Sequence, residues 1–254
     1  MQRDYQYNYS EQSNKASSMF DVEGRIEKAK KTISVLKTHL GDISNLKLLD
    51  IGSSSGIMTN EYSKHCKEVI GIDIDSKAVK FANENFKTDI LKFIDTPLEE
   101  YSYEKSSFDI ITCSHIYEHV PSDKVLMDNI YKLLKPGGVC YFAAVNRFTI
   151  IEPHYRLPFL SYFPKKISNI YISLFTDHEM YYENLKSCRN LKKLVHEFKI
   201  TDYTLEIISN PSRYSASNMI KEKSLKYYLI NLIARISYFI IPTYVWILTK
   251  PHVD

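Results

Sequence analysis

The sequence predicts an α/β fold in which helices cover both faces of a parallel sheet of about seven strands. Two observations carry this prediction. Short apolar runs of strand length alternate with longer segments whose apolar residues recur at helical spacing, a pattern typical of βαβ units. The first such run, residues 46–51, stops at Gly52 and has the length and flanks of a strand buried on both faces.

The elements follow one another along the chain. Helices are predicted at 22–40, 57–66, 76–86 and 123–134, and strands at 46–51, 68–72, 91–94, 108–113 and 139–145. Residues 147–186 interrupt the alternation with prolines and many aromatic residues, and we expect only short helical stretches there. A helix through Leu191 to Phe198 then precedes two final strands, at 199–208 and 243–249.

Composition limits the class of protein. The chain has 254 residues, of which 44% are hydrophobic, so it can form one elaborated domain and is not disordered. Lys and Arg total 33 against 30 Asp and Glu, and this near balance argues against a nucleic-acid partner. The 4 cysteines are widely spaced, so we expect neither a zinc knuckle nor a disulfide framework. Residues 1–20 contain no apolar leader, which favours the cytoplasm.

An apolar stretch at 227–241 follows Lys221, Lys223 and Lys226. It is shorter than the roughly 20 apolar residues that a membrane-spanning helix needs. We expect it to form the last helix and to pack against the sheet. The alternative is peripheral contact of residues 221–241 with a membrane or with a lipid-linked acceptor.

The first strand leads into a turn with the sequence Asp50-Ile51-Gly52-Ser53-Ser54-Ser55-Gly56. Glycine lets the backbone approach a ligand closely, and the N-terminus of the next helix presents unpaired N–H groups. Asp73 ends the second strand about 20 residues later, where a carboxylate can accept both hydroxyls of a ribose. Asp75 directly precedes a helix and is the better candidate for its N-cap.

Five segments, in order between about residues 45 and 147, are similar to class I S-adenosylmethionine-dependent methyltransferases. They are Asp50-Ile51-Gly52 with Gly56, Gly71-Ile72-Asp73, Asp95, Phe108-Asp109-Ile110-Ile111 and Leu133-Leu134-Lys135-Pro136-Gly137-Gly138. The resemblance implies a Rossmann-like, mostly parallel sheet of seven strands with an antiparallel last strand. It also implies S-adenosylmethionine as the cofactor. The family often has a second glycine where this chain has Ser54, and serine adopts positive φ rarely, so we expect a different local turn.

The resemblance also assigns contacts with the cofactor. Gly52 and Gly56 would flank its methionine part, Asp73 would hold the ribose, and Ile74 would cover the adenine. The full set of implied cofactor-binding residues is Asp50, Gly52, Ser53, Gly56, Asp73, Ile74, Asp95, Thr96, Ser114 and His115.

The segment after the fourth strand, Ser114-His115-Ile116-Tyr117-Glu118-His119-Val120, resembles the E-x-x-E-H segment of ubiquinone-pathway O-methyltransferases. In that segment two carboxylates and a histidine can hold a divalent metal, but here His115 replaces the first carboxylate. We expect no metal, and we expect Glu118 and His119 to act on the acceptor. Metal binding by these residues and capping of the next loop are the alternatives.

The insertion at 147–186 contains Ile151-Glu152-Pro153-His154-Tyr155, which resembles a segment in a subset of bacterial and archaeal members of the family. An aromatic-rich loop stiffened by proline is expected to form a lid over the acceptor pocket. His154 is a candidate general base because its ordinary pKa lies near neutrality, or it makes loop hydrogen bonds with Glu152. Residues 1–21 are expected to form a tail or second lid, and 22–254 the methyltransferase domain.

These features predict an enzyme that transfers a methyl group from S-adenosylmethionine to a small-molecule, glycan or lipid-linked acceptor, at oxygen. A catalytically silent binding module with the same fold is the first alternative. A nicotinamide-dependent oxidoreductase is disfavoured because the sequence has neither a G-x-G-x-x-G turn nor a Tyr-x-x-x-Lys pair after the fifth strand.

Overall fold

The computed structural model describes residues 19–252, which form a seven-stranded sheet with the order β3-β2-β1-β4-β5-β7-β6. The strands are β1 (Lys47–Ile51), β2 (Glu68–Asp73), β3 (Leu91–Asp95), β4 (Phe108–Ser114), β5 (Leu134–Val145), β6 (Lys199–Asp202) and β7 (Thr243–Thr249). The helices are α1 (Val22–Leu40), α2 (Ile57–Ser63), α3 (Ser76–Phe86), α4 (Asp123–Leu133), α5 (Lys165–Phe175), α6 (Cys188–Leu194), α7 (Thr204–Ser209) and α8 (Leu225–Ile236). Of the expected tail or lid at 1–21, residues 1–18 lie outside the described part of the chain.

The predicted sheet is confirmed. Strands β1 to β5 pair in parallel, and β7 runs antiparallel to both β5 and β6. Strand β1 lies between β2 and β4, and its residues Leu48, Leu49 and Ile51 are buried in the two apolar layers that flank the sheet. Because β1, β2 and β4 are parallel neighbours, their carboxyl ends lie side by side. This edge collects the turn at Gly52, the carboxylate of Asp73 and the segment that begins at Ser114.

Several expected elements differ in the structure. The helices predicted at 57–66 and 191–198 end at Ser63 and Leu194, and β5 begins at Leu134, before the predicted start at 139. The strand predicted at 199–208 is wrong beyond Asp202, where the short helix α7 begins. The Oδ1 atom of Asp202 accepts the N–H of Thr204, 2.8 Å away, and this contact turns the chain out of the strand. In the insertion, α5 has 11 residues and is longer than the short helical stretches expected there.

The insertion at 147–186 is closed at its base. Asn146 and Lys186 form an isolated β-bridge, and the N–H of Arg147 donates to the carbonyl of Lys186. Inside the insertion, a small apolar core contains Tyr155, Leu160, Ile172 and Tyr181. The insertion is therefore an ordered unit that returns to the end of β5.

Candidate active site

The turn after β1 is built on positive φ angles. Gly52 has φ +75° and Gly56 has φ +77°, and Ser54 itself adopts φ +52°. The N–H of Ser54 donates to Oδ2 of Asp73 at 2.8 Å, which helps to hold serine in this uncommon conformation. A Cβ atom on Gly52 would lie 2.2 Å from Cδ1 of Ile116, so this glycine also makes room for the segment after β4.

Asp73 lies at the end of β2, with its carboxylate toward the turn. Oδ2 accepts the N–H of Ser54 and Oδ1 accepts that of Asp75, at 2.8 and 2.9 Å. Burial raises the pKa of this carboxyl above its ordinary value, although the backbone N–H groups act in the opposite direction. Each carboxylate oxygen keeps acceptor capacity for a ligand hydroxyl. Asp75, in contrast, caps α3 by accepting the N–H of Ala78, as expected.

Asp50 lies beneath the turn and is buried. Its two oxygens accept the hydroxyls of Thr59 and Thr112, at 2.6 and 2.5 Å. Burial raises the pKa of Asp50 to about 6 despite these two hydrogen bonds. Burial of the ionised carboxylate lowers the free energy of unfolding at neutral pH. Carboxyl groups with a pKa shifted in this way are common at ligand-binding sites.

A cavity of about 320 Å³, here called the turn cavity, opens at this edge of the sheet. Its wall includes six of the ten predicted cofactor-binding residues, which are Asp50, Gly52, Ser53, Asp73, Ser114 and His115. Ser54 lines it as well. The hydroxyls of Ser53 and Ser54 are buried without a hydrogen-bond partner among the described residues. Such buried hydroxyl groups are suited to a polar ligand.

A smaller cavity of about 120 Å³ adjoins the turn cavity, and Gly52, Asp73, Ile116 and His119 line both. Ile74 and Thr96 line only the smaller one, which Asp73 also lines. Two predicted residues, Gly56 and Asp95, line neither cavity. A Cβ on Gly56 would lie 2.7 Å from Cβ of Ala82, and the side chain of Asp95 is exposed.

Three cations on α1 were missed by the sequence analysis. Arg25, Lys28 and Lys31 line the turn cavity, and burial lowers the pKa of both lysines. A signal was present, because the three follow one another at a spacing of three residues on a predicted helix. They suit an anionic group such as the carboxylate of an amino acid.

Glu118, His119 and His154 meet on the other side of the turn cavity. One ligand atom from each lies within 4.8 Å of the other two, and the two imidazole rings are edge to face with centroids 4.9 Å apart. Burial alone would raise the pKa of Glu118, but His115 and His119 hold it below its ordinary value. Its carboxylate is fully buried and has no hydrogen-bond partner among the described residues. The cluster can bind a polar group, and its donor set is also one that a divalent metal accepts.

Glu152 positions His154. Its Oε1 lies 2.6 Å from Nδ1 of His154, and its Oε2 accepts the N–H groups of His154 and Tyr155. Burial by itself lowers the pKa of His154, but the hydrogen bond and charge of Glu152, with the charges of Glu183 and Glu118, raise it to about 9. Of the two roles that the sequence left open for His154, the loop hydrogen bond with Glu152 is present, and the raised pKa favours a hydrogen-bond donor over a general base at neutral pH.

A further cavity of about 450 Å³, here called the insertion cavity, lies between the insertion and the start of α4. Glu183 lines it, and Oε1 of Glu183 lies 3.9 Å from Nδ1 of His119, which lines the turn cavity. Glu118, His119 and His154, here called the histidine cluster, thus separate the two cavities. Sequence reasoning missed Glu183, because no local pattern marks this residue.

Comparison with known proteins agrees with this geometry. Residues 49–142 match the family model described as a methyltransferase domain. A ubiquinone biosynthesis O-methyltransferase from Psychrobacter cryohalolentis is 29% identical over 150 residues, which cover 55% of this chain and 58% of that protein. The chain thus matches less than two thirds of the length of this relative.

Two solved structures share the fold. The N-methyltransferase NodS from Bradyrhizobium japonicum, solved with S-adenosylhomocysteine, superposes with a TM-score of 0.53 at 14% identity, covering 89% of this chain and 87% of NodS. A methyltransferase solved with the Haloferax volcanii activator Trm112 gives 0.56 at 14% identity, covering 91% of this chain and 94% of the other. Residues 49–142 are therefore similar to the methyltransferase-domain family, and the seven-stranded sheet shares its fold with these two solved structures.

Proposed function

We propose that the protein transfers a methyl group from S-adenosylmethionine to a hydroxyl of a small-molecule, glycan or lipid-linked acceptor. One observation carries the proposal: Asp73 and His154 line the same cavity, so a ribose-binding carboxylate and a candidate acceptor-binding histidine face one space. The curated relative is named as an O-methyltransferase, which supports oxygen as the acceptor atom.

The residues of the turn cavity fit this cofactor. Gly52 leaves the backbone open, Asp73 offers acceptor oxygens for the ribose, and the hydroxyls of Ser53 and Ser54 are buried without partners among the described residues. When bound, S-adenosylmethionine would supply a methyl group that is already activated as a sulfonium.

The histidine cluster would then act on the acceptor. His154, protonated beside Glu152, donates a hydrogen bond to the acceptor oxygen and makes its hydroxyl more acidic. His119 would accept the proton that leaves this oxygen as the methyl carbon bonds to it and the bond from that carbon to sulfur breaks, with S-adenosylhomocysteine as the leaving group. Glu118 and Glu183 stabilise the imidazolium that results, since a nearby carboxylate favours the charged form. Such acid–base assistance typically contributes about 10²–10⁴-fold in rate.

The insertion supplies His154 and encloses the second cavity, so we propose that the acceptor reaches the cluster from the insertion cavity. The proposed compartment is the cytoplasm. The four cysteines are unpaired in the structure, as is common where thiols stay reduced.

The test has two parts. S-adenosylhomocysteine should raise the melting temperature of the protein, and Asp73→Asn should remove most of that shift, because a ligand that binds the native state stabilises it. The exposed Asp89→Asn is the matched control and should keep the full shift. Transfer of labelled methyl is then screened over hydroxylated compounds.

The outcomes separate the alternatives. A stabilisation by NAD equal to that by S-adenosylhomocysteine would favour an oxidoreductase. Tight cofactor binding without transfer to any acceptor would favour a silent binding module. Transfer that is lost in His154→Gln while the thermal shift persists would support the proposed roles.

A further inference from the structure

Helix α8 exposes its apolar face. The sequence favoured a last helix packed on the sheet, but only Ala234 of α8 is buried. The exposed residues, between 50% and 76% accessible, follow the spacing of one helical face and are Leu225, Tyr228, Leu229, Leu232, Ile233 and Ile236. We call this set the α8 face. Phe239, in the turn after α8, is also exposed.

Cations surround the α8 face. Lys221, Lys223, Lys226 and Arg235 are exposed, and Glu222 is the one acidic residue in 221–241. Glu222 is engaged elsewhere, since its Oε1 accepts the N–H and the hydroxyl of Ser212 at 3.0 and 2.5 Å. The segment therefore presents positive charge beside an apolar stripe.

We propose that α8 lies flat on an anionic lipid surface, with the α8 face in the lipid and its cations at the headgroups. A helix with an apolar stripe and Lys or Arg beside it has the features of an interfacial helix. Tyr228 can take the interfacial position that aromatic residues prefer. With 12 residues, α8 is too short to span a bilayer, and no helix among residues 19–252 is long and apolar enough to do so.

A second copy of the chain fits this face less well. Pairing two α8 faces would bring the cations of both copies together, and like charges across an interface are unfavourable. A lipid surface of negative charge satisfies the apolar stripe and the cations together. The proposal does not depend on methyl transfer, and it is tested without cofactor or acceptor.

The experiment measures flotation of the full chain with phosphatidylcholine vesicles, alone or with about one third phosphatidylglycerol. We expect at least about tenfold more binding to the anionic vesicles, and a loss of binding as salt rises. Leu229→Asp with Leu232→Asp should abolish binding, and Lys223→Glu with Lys226→Glu should remove the preference for anionic lipid.

The matched control is Lys87→Glu with Lys92→Glu, which changes the net charge equally at the opposite end of the sheet, near β3. It should bind like the wild type. A Leu232→Trp variant should show a blue shift of emission with anionic vesicles, because the native Trp246 is buried and reports no surface contact. Circular dichroism confirms that each variant is folded.

Three outcomes would overturn the proposal. The first is a wild-type chain that does not float with anionic vesicles. The second is an equal loss of binding to anionic vesicles in the Lys87→Glu, Lys92→Glu control and in the Lys223→Glu, Lys226→Glu variant. The third is a wild-type chain that forms a dimer, while the Leu229→Asp, Leu232→Asp variant is a monomer and neither protein binds vesicles. This result would assign the α8 face to a second copy.

Discussion

Nδ1 of His154 lies 2.6 Å from Oε1 of Glu152, and this contact makes His154 an imidazolium at neutral pH. The glutamate is fully buried and holds the backbone of the same loop through its second oxygen. Glu152 therefore supports the geometry of the loop and also contributes, with Glu183 and Glu118, to the raised pKa of His154.

The first prediction concerns stability and pH. The pKa of His154 is raised to about 9 in the folded protein, above its ordinary value of 6.5. Its contribution to the free energy of unfolding is therefore fully present below about pH 6.5 and is lost as pH rises through 9, a change of about 3 kcal/mol. Urea unfolding of wild type and His154→Gln between pH 6 and 9.5 measures the difference.

The free energy of unfolding of the wild type has to be compared with that of His154→Gln, because the titration of Lys165 changes it with pH in the opposite direction. Burial lowers the pKa of Lys165 to about 8, so its contribution grows as pH rises above 8. The difference in free energy of unfolding between the wild type and His154→Gln should become smaller towards high pH. A constant gap would show that His154 does not titrate in this range.

The second prediction concerns the pH dependence of transfer. If the protonated His154 assists the acceptor, the rate falls as pH rises through about 9. Glu152→Gln removes the negative charge, so the pKa of His154 falls and the decline should move to lower pH by about one unit or more. Rates measured from pH 6 to 10 test this, and an unmoved decline would assign it to another group.

The third prediction concerns Asp50. Its pKa is raised to about 6, so the carboxyl is stabilising below about pH 3.8, and this contribution is lost as pH rises through 6. Asp50→Asn should therefore raise the free energy of unfolding at pH 7.5 by about 1–3 kcal/mol, and weaken cofactor binding. Thermal melts with and without S-adenosylhomocysteine, at pH 5 and 7.5, separate the two effects. A variant less stable at pH 7.5 would contradict the prediction.

The fourth prediction concerns the contact of Gly52 with Ile116. Gly52→Ala should weaken cofactor binding, because the new Cβ would lie 2.2 Å from Cδ1 of Ile116 and φ is +75°. Adding Ile116→Ala removes the collision but leaves a φ strain of about 1 kcal/mol. Calorimetry should find the double variant between Gly52→Ala and wild type. Equal loss in both variants would assign the effect to φ alone.

The fifth prediction concerns metal. Glu118, His119 and His154 could hold a divalent ion, but a metal would have to displace the proton that His154 carries at neutral pH. Incubation with a chelator should leave the rate unchanged, whereas His119→Ala should lower turnover more than cofactor affinity. Loss of activity in chelator, with recovery on adding a metal, would reverse this assignment.

Much of the fold could be predicted from the sequence because its signals are local. Apolar runs of strand length and helical spacing identify β1 to β5, and the turn at Gly52 followed by Asp73 marks the sheet edge that we propose as the cofactor site. The same reasoning failed at 199–208, where the side chain of Asp202 ends the strand, a contact that apolar periodicity does not report.

The sequence by itself determined the sheet, the turn at Gly52 and the place of Asp73 at the end of β2, since neighbouring residues specify each of them. Only the tertiary structure decided that His154 meets Glu118 and His119, because the insertion must fold and close at Asn146 and Lys186 before they can approach. It also decided that α8 leaves its apolar face exposed. A helical pattern shows which residues share a face, but what covers that face depends on segments distant in the chain.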